Sequence, residues 1–404
     1  MTVDGRARSL WGWGFADRFP DRAARRSLAG QVGALLGARE LEVREPVSPE
    51  SLALPSPRAL PTVELAAFST SAILERARHC YGKGYRDLVR GFRGDYASAP
   101  DFVARPRNEA ELDELLAACA KNKWAAIPFG GGTSVVGGVE AALPPGFSGA
   151  VSIDLGAFDR VLEVDPVSRA ARIQAGALGP ALEAQLQPHG FSLRHFPQSF
   201  EHSTLGGWIA TRAGGHFATL YTHIDDLVES VRMVTPRGVW QSLRVPGSGA
   251  GPSPDRLALG SEGIFGVITE AWVRVQPRPR FRAQASVHFP SFGGGVEAAR
   301  AIAQAGLYPS NCRLLDPTEA LLHRVAGDGS SVLLLAFESA DHELSPWMSR
   351  ALALAAECGG DCPKGPRFSD AESPRASESQ AGDAWRAAFF DAPYLQSALV
   401  SLGV

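Results

Sequence analysis

No stretch of the 404-residue sequence approaches the run of roughly 18 apolar residues that a membrane-spanning helix requires. Cysteine is scarce. The five thiols, Cys80, Cys119, Cys312, Cys358 and Cys362, include no Cys-x-x-Cys pair, which removes a disulfide framework and a structural zinc site as organising elements. Reduced thiols and a cytoplasmic setting are the expectation. Charge of one sign is lacking too: 40 Lys and Arg stand against 43 Asp and Glu, a formal charge of −3. A nucleic-acid binder needs a basic face to displace counterions, so that class is excluded. Residues 1–17 mix charged with apolar side chains and carry no signal-peptide core.

What is present describes an ordinary folded chain. Hydrophobic residues make up 45% and charged residues 21%, a balance that excludes disorder as the overall state. The length suits two or three domains. The pattern divides into an N-terminal helical extension over 1–96, a strand-and-helix region over 97–278 and a further region over 279–404.

Within the extension, residues 44–61 read as a Pro- and Ser-rich loop, and 69–78 and 85–89 as short helices. Asn108 followed by Glu111 has capping-box spacing, and Leu112, Leu115, Leu116 and Cys119 follow at i, i+3, i+4 and i+7, so a helix begins at Asn108. Strands are expected at 125–128, 150–155, 160–164 and 171–175, the last two as a hairpin, with a helix carrying Leu178, Leu182 and Leu186 after them. A second hairpin spans 228–243 around Pro236-Arg237-Gly238, and 267–275 alternates as a strand. Beyond it, strands at 286–289 and 332–337 alternate with helices at 295–305 and 345–358, an open sheet with helices on one face. Residues 369–380 are polar, and 385–402 read as a helix.

The most informative segment follows the strand at 125–128. Gly130, Gly131 and Gly132, then Thr133, Ser134 and Val135, and Gly137-Gly138, let backbone approach a ligand closely and add two hydroxyl donors. No Gly-Lys-Ser/Thr follows, and the glycine spacing is not that of a dinucleotide-binding βαβ turn. Two further small-residue segments accompany it. One runs Pro197-Gln198-Ser199-Phe200-Glu201-His202-Ser203 through Leu205-Gly206-Gly207 to Ala210-Thr211-Arg212-Ala213. The other is Gly260-Ser261-Glu262-Gly263-Ile264-Phe265-Gly266-Val267-Ile268. Together they would let a large flat ligand lie against backbone.

These segments, with Asp225-Asp226-Leu227-Val228, Val234-Thr235-Pro236-Arg237-Gly238 and Arg313-Leu314-Leu315-Asp316, resemble the vanillyl-alcohol oxidase and p-cresol methylhydroxylase superfamily of FAD-binding proteins. Within it the chain resembles the alkyldihydroxyacetonephosphate synthases. The resemblance implies an α+β fold: a two-subdomain FAD-binding domain of the vanillyl-alcohol oxidase type, the N-terminal helical extension, and an incomplete α+β cap domain over 279–404, left with an exposed sheet edge. It places the FAD pyrophosphate on 130–135 and further cofactor contacts on 197–203, 210–213 and 262–268. With Phe129 and Gly130 beside the loop where some relatives carry a flavin-linked histidine, non-covalent FAD is expected. His216 reads as a polar loop residue.

For Arg313 two roles stay open, phosphate binding of a substrate and an ion pair with Asp316. Gln396 stands where relatives tend to carry an arginine. No catalytic residue is assigned. The family's tyrosine and histidine cluster are expected beyond Val404, and none of the nine histidines lies in the matching motif. The implied activity is exchange of the acyl group of acyl-dihydroxyacetone phosphate for a fatty alcohol, without net redox. The alternatives are an FAD-linked 2-hydroxy-acid dehydrogenase, or a truncated chain that binds flavin without turnover. A lipid-like or hydroxy-acid substrate is the expected small-molecule partner; peripheral membrane contact and a homodimer stay open.

Overall fold

The computed structural model describes residues 2–3, 6–37, 41–245, 247–323, 325–370 and 381–404, with side chains from residue 6 onward and, in the last helix, from residue 390. Three sheets of four, five and four strands organise it. In the first, Phe102–Ala104, Gly149–Asp154 and Trp124–Phe129 run parallel, with Ser69–Thr70 added antiparallel at one edge. The helix Glu109–Asn122 makes the crossover. Asn108 caps it by accepting from the Glu111 N–H at 2.9 Å. The Glu111 carboxylate reaches back to the Arg107 N–H at 2.7 Å, one residue before the expected partner. Leu112, Leu115 and Cys119 of this helix pack on Phe102, Val151 and Ile153, all nearly solvent-free.

The second sheet is wholly antiparallel, in the order Gly238–Gln241, Val228–Thr235, Val267–Arg274, Ala170–Gln174, Val161–Asp165. Both expected hairpins are present. Helices Gly179–Leu186 and Leu205–Thr211 bury Leu182, Leu186, Leu205 and Trp208 against it.

The third sheet, in the order Asn311–Leu315, Ser331–Ser339, Phe281–Phe289, Arg367–Ser369, is antiparallel, and helices Phe292–Gln304 and Ser345–Glu357 share its core. The strand expected at 286–289 starts five residues earlier. Its inward positions are Ala283, Ala285, Val287 and Phe289, and two alanines weaken the alternation that the sequence presents. Asn311–Leu315 and Arg367–Ser369 are strands that the sequence pattern does not show. One is bracketed by turn residues, and the other is three residues long. The segment expected to be helical from residue 69 opens instead as the edge strand Ser69–Thr70, with the helix confined to Ile73–Arg78. Of the polar stretch at 369–380, residues 371–380 lie outside the described residues.

The last helix, Ala381–Leu402, packs on Tyr85–Phe92, on Arg22–Leu36 and on the strand Phe281–Phe289. Val400 joins Trp11, Trp13, Leu88 and Phe92 in one apolar cluster. Among the described residues no helix is long and apolar enough to cross a membrane, and no group of metal-ligating side chains gathers. All five cysteines are free thiols.

A buried carboxylate ties the first sheet to the extension. Asp154 is solvent-free and accepts from Arg105 Nε at 2.9 Å and the Gly156 N–H at 2.9 Å, with His79 Nε2 at 3.2 Å. Burial raises its proton affinity, but His79, Gly156 and Arg105 outweigh that and hold the carboxyl below its ordinary range. A depressed carboxyl contributes stability above its unfolded value of about 3.9, and that contribution fades as the pH falls through the folded value. Asp154→Ala is expected to cost about 3 kcal/mol at pH 7, because it removes the buried acceptor shared by Arg105, His79 and the Gly156 N–H, leaving Arg105 with Glu75 alone. It should also flatten the acid limb of the stability curve below about pH 4, read from urea midpoints at a series of pH values.

Candidate functional site

At the carboxyl end of Trp124–Phe129, where open sheets of this kind receive ligands, the chain enters the glycine loop. The loop forms one wall of a cleft of about 330 Å³ between the first and second sheets. Its glycines are required by close approach. A Cβ on Gly131 would lie 1.8 Å from the His202 carbonyl oxygen, and one on Gly130 would lie 2.3 Å from Thr204 Oγ1. Gly132 adds a left-handed φ of +66°. The loop is held on its other side as well. The Lys83 N–H donates to the Ser134 carbonyl at 2.6 Å, and Arg8 Nη2 donates to the Gly131 carbonyl at 2.8 Å.

The expected cofactor residues divide. Gly130, Gly131, Gly132, Thr133, Ser134 and Val135 all line the cleft. From 197–203, Ser199 and Ser203 do; Phe200 packs on Phe196 with ring centroids 4.6 Å apart, Glu201 is exposed, and His202 turns away into a buried pocket. Pro197 and Gln198 are not part of the wall. From 210–213, Ala210, Thr211 and Ala213 line it, whereas Arg212 pairs with Asp225. From 262–268, Glu262, Gly263, Gly266 and Ile268 line it; Val267 is in the first sheet's core, and Ile264 and Phe265 are exposed beside the mouth.

Arg313 is half-buried on Asn311–Leu315, off the cleft wall, and burial lowers its proton affinity against the pull of Glu319. Asp316, weighed as its ion-pair partner, spends its carboxylate capping Pro317–Leu322, accepting from the Thr318 and Glu319 N–H groups at 2.7 and 2.8 Å. His216 lies in the turn before Ala218–Tyr221, as expected of a loop residue, and is buried beside Phe217.

Several residues at the site lie outside the expected cofactor contacts. Thr204 and Gly207 complete the wall, Thr204 capping Leu205–Thr211. His195 lies buried against Trp208 with neither ring nitrogen hydrogen-bonded, and burial drives it down to about 4. Lys83 is driven down to about 7 by burial and by the charge of Arg8. Its Nζ donates to the Trp11 carbonyl at 3.2 Å.

The cleft is chemically suited to FAD. Two walls of small residues admit a flat ring system. Thr133, Ser134 and loop N–H groups can donate to phosphate oxygens, and Arg8 and Lys83 place positive charge directly behind that loop. The arrangement is that of a flavin-binding protein of the vanillyl-alcohol oxidase type, and the sequence agrees. Residues 100–244 match the FAD binding domain family and 278–401 the C-terminal domain of FAD linked oxidases. The chain thus carries an FAD binding domain followed by the C-terminal domain of FAD linked oxidases.

Within that class it is similar to alkyldihydroxyacetonephosphate synthase. The protein of that name from Dictyostelium discoideum is 40% identical over 249 residues, 62% of this chain and 40% of that one. A solved structure of an alkyldihydroxyacetonephosphate synthase superposes with a TM-score of 0.83 at 28% identity, covering 98% of this chain and 80% of the other. The mitochondrial cytochrome D-lactate dehydrogenase of Arabidopsis thaliana is 33% identical over 224 residues, 54% of this chain and 38% of that one. The matched stretches thus span about two-fifths of these two curated relatives.

Two outcomes follow from the geometry. Gly131→Ala is expected to abolish retention of FAD on desalting while far-UV circular dichroism is preserved, since the added methyl meets backbone that cannot yield. Lys83 should impose a pH dependence on the FAD-free protein. Between its folded value of about 7 and an unfolded value of about 10.4, the unfolded chain binds more protons, so stability rises with pH across that window. Lys83→Met should shrink that rise, followed by urea midpoints at constant salt.

Proposed function

We propose that the chain is a flavoenzyme of ether-lipid synthesis, exchanging the acyl group of acyl-dihydroxyacetone phosphate for a fatty alcohol, with FAD held without a covalent link. The observation that carries the reading is the superposition of 98% of the chain, glycine-loop cleft and third sheet together, on a solved synthase. FAD would supply an electron-deficient ring able to take up and return an electron pair. The chain's own part is binding and orientation. Loop N–H groups and the hydroxyls of Thr133 and Ser134 hold the cofactor's phosphates, with Arg8 as fixed counter-charge.

Arg313 is the proposed phosphate ligand of the substrate. Its strand packs against Ala218–Tyr221, on the stretch of chain that follows the cleft residue Ala213, and a half-buried guanidinium binds a phosphate in a two-pronged manner. The cap is joined to the flavin unit by a buried ion pair, Arg194 with Glu338, whose guanidinium also lies over the Phe217 ring. This bond fixes the third sheet relative to the segment 195–203, and substrate orientation depends on that relation.

The likeness to a D-lactate dehydrogenase supports a second reading, oxidation of a 2-hydroxy acid. The FAD-loaded protein should convert palmitoyl-dihydroxyacetone phosphate and labelled hexadecanol into the alkyl product, with no reduction of dichlorophenolindophenol by D-lactate. Dye reduction without ether product would establish the dehydrogenase instead. Arg313→Ala should lower kcat/KM for the acyl phosphate by about 100-fold, corresponding to a charged hydrogen bond of about 3 kcal/mol, with partial recovery in Arg313→Lys. Acid precipitation should release all of the flavin into the supernatant.

A further inference from the structure

The FAD-binding domain match ends at residue 244, yet the glycine loop is braced by residues far outside it. His202 lies in the segment whose backbone touches Gly131, and its Nε2 is 3.0 Å from the hydroxyl of Tyr394 on the last helix. Both residues are buried. The N-terminal turn closes the junction. Gly14, at φ +60°, fits between the two side chains so tightly that a Cβ would lie 2.2 Å from Tyr394 Oη and 2.5 Å from His202 Nε2. From the same turn, the Trp13 N–H donates to Ser397 Oγ at 3.1 Å and Trp13 Nε1 to Gln396 Oε1 at 3.2 Å. Phe15 stacks edge-on against His202, with centroids 4.9 Å apart. Arg8, just ahead of the turn, holds the Gly131 carbonyl.

We infer that Tyr394 is a positioning residue for the FAD site, acting through His202, and that the cofactor cradle includes residues 8–15 and the helix around Tyr394. The inference rests on the reading of the cleft as the FAD site. His202 reaches the cofactor wall in two ways. Its carbonyl abuts Gly131, and its chain neighbour Ser203 lines the cleft, anchored to the Ser199 carbonyl and to Trp208 Nε1. Fixing the imidazole therefore fixes the backbone at 202–203 on which one side of the loop rests.

The electrostatics are consistent with a neutral ring. Burial and the charges of Arg8, Lys83, Arg6 and Arg18 push His202 down to about 3, the nearby carboxylate being Glu201, with Nε2 at 3.7 Å. Burial raises the proton affinity of the Tyr394 hydroxyl, so it too keeps its proton. His202 Nε2 and the Tyr394 hydroxyl share the 3.0 Å contact, while Nδ1 is buried without a hydrogen-bond partner. A neutral, fully oriented pair keeps its geometry across the working pH range, which a brace for a cofactor loop requires.

By linkage, anything that loosens this junction weakens FAD, and FAD tightens the junction by the same factor. The test is FAD titration by flavin fluorescence on the full chain, wild type against Tyr394→Phe, His202→Gln and the double variant, with melting curves of each without FAD. Each single change is expected to raise the FAD dissociation constant about tenfold, while the FAD-free melting temperature moves little. The double change should be no worse than the more damaging single, because both remove one bond. Unchanged FAD affinity in Tyr394→Phe, or single effects that multiply in the double variant, would overturn the inference. A wild type that binds no FAD would overturn the reading of the cleft itself.

Should the variants fail to fold, hydrogen exchange of the wild type decides. FAD is expected to slow exchange at residues 8–15 and 394–402. Identical exchange there with and without FAD, alongside protection at 130–135, would refute the coupling while leaving the site intact.

Discussion

Backbone packed directly on backbone is the constraint from which the rest of this structure follows. At Gly131 the chain passes so close to the His202 carbonyl that no side chain of any kind fits, and Gly176 makes a comparable approach to the Leu155 carbonyl, where a Cβ would lie 1.9 Å from the oxygen. Contacts of this kind leave no slack. They join the first sheet to the second at fixed distance, and the cleft between them is the space left over. A site built this way is wide and flat, walled by peptide groups rather than by long side chains. That shape suits a large planar ligand with a diphosphate better than a small compact one.

Such a junction has to be supported from outside, since glycine loops carry no side chains with which to anchor themselves. The support is polar and buried. Asp154 under the loop's root gathers Arg105, His79 and the Gly156 N–H, Phe129 rests on the His79 ring with centroids 4.3 Å apart, and the Leu155 N–H returns to the Phe129 carbonyl. Buried charge is tolerable here because each group is paired or hydrogen-bonded. The cations Arg8 and Lys83 differ. They meet carbonyl oxygens of Gly131 and Trp11 rather than carboxylates, and with Lys83 driven down to about 7 it is Arg8 that keeps the field at the loop positive. A bound diphosphate would complete the pairing that the protein leaves open, so the charge that disfavours the empty site favours the loaded one.

Local patterns were legible and long-range ones were not, for a physical reason. The helix over 109–122 announces itself through its cap and its apolar spacing. The two hairpins show through alternation broken by turn residues, and the glycine loop through composition alone. Strands such as Asn311–Leu315 and Arg367–Ser369 are stabilised by neighbours already in the sheet and need no periodicity of their own, so nothing in their sequence marks them. The site shows the same divide. Small residues facing the cleft were readable, because smallness is itself the signal. Which of their neighbours turn inward was not: Ser199 and Ser203 face the cleft while Phe200 and His202 serve packing. The bond between His202 and Tyr394 spans 192 residues of sequence, and only the fold brings the pair together.

That separation also bears on the order in which the site can form. Within the first and second sheets the pairings are hairpins and crossovers between neighbouring stretches of chain, except that Val267–Arg274 returns from far along the sequence to pair with Ala170–Gln174. The turn at residues 8–15 can dock only after the last helix has arrived, because Trp13 donates to Ser397 and Gln396, and Gly14 fits against Tyr394. Closing loops of this length costs entropy that is recovered only when the contacts are complete. The junction behind the glycine loop is therefore the last part of the cradle to gain its stability and the first to lose it. Cofactor affinity, set at that junction, reports on the whole chain rather than on the FAD-binding domain alone. A substitution in the last helix can thus empty a site from which it is separated by most of the sequence, without touching the ligand.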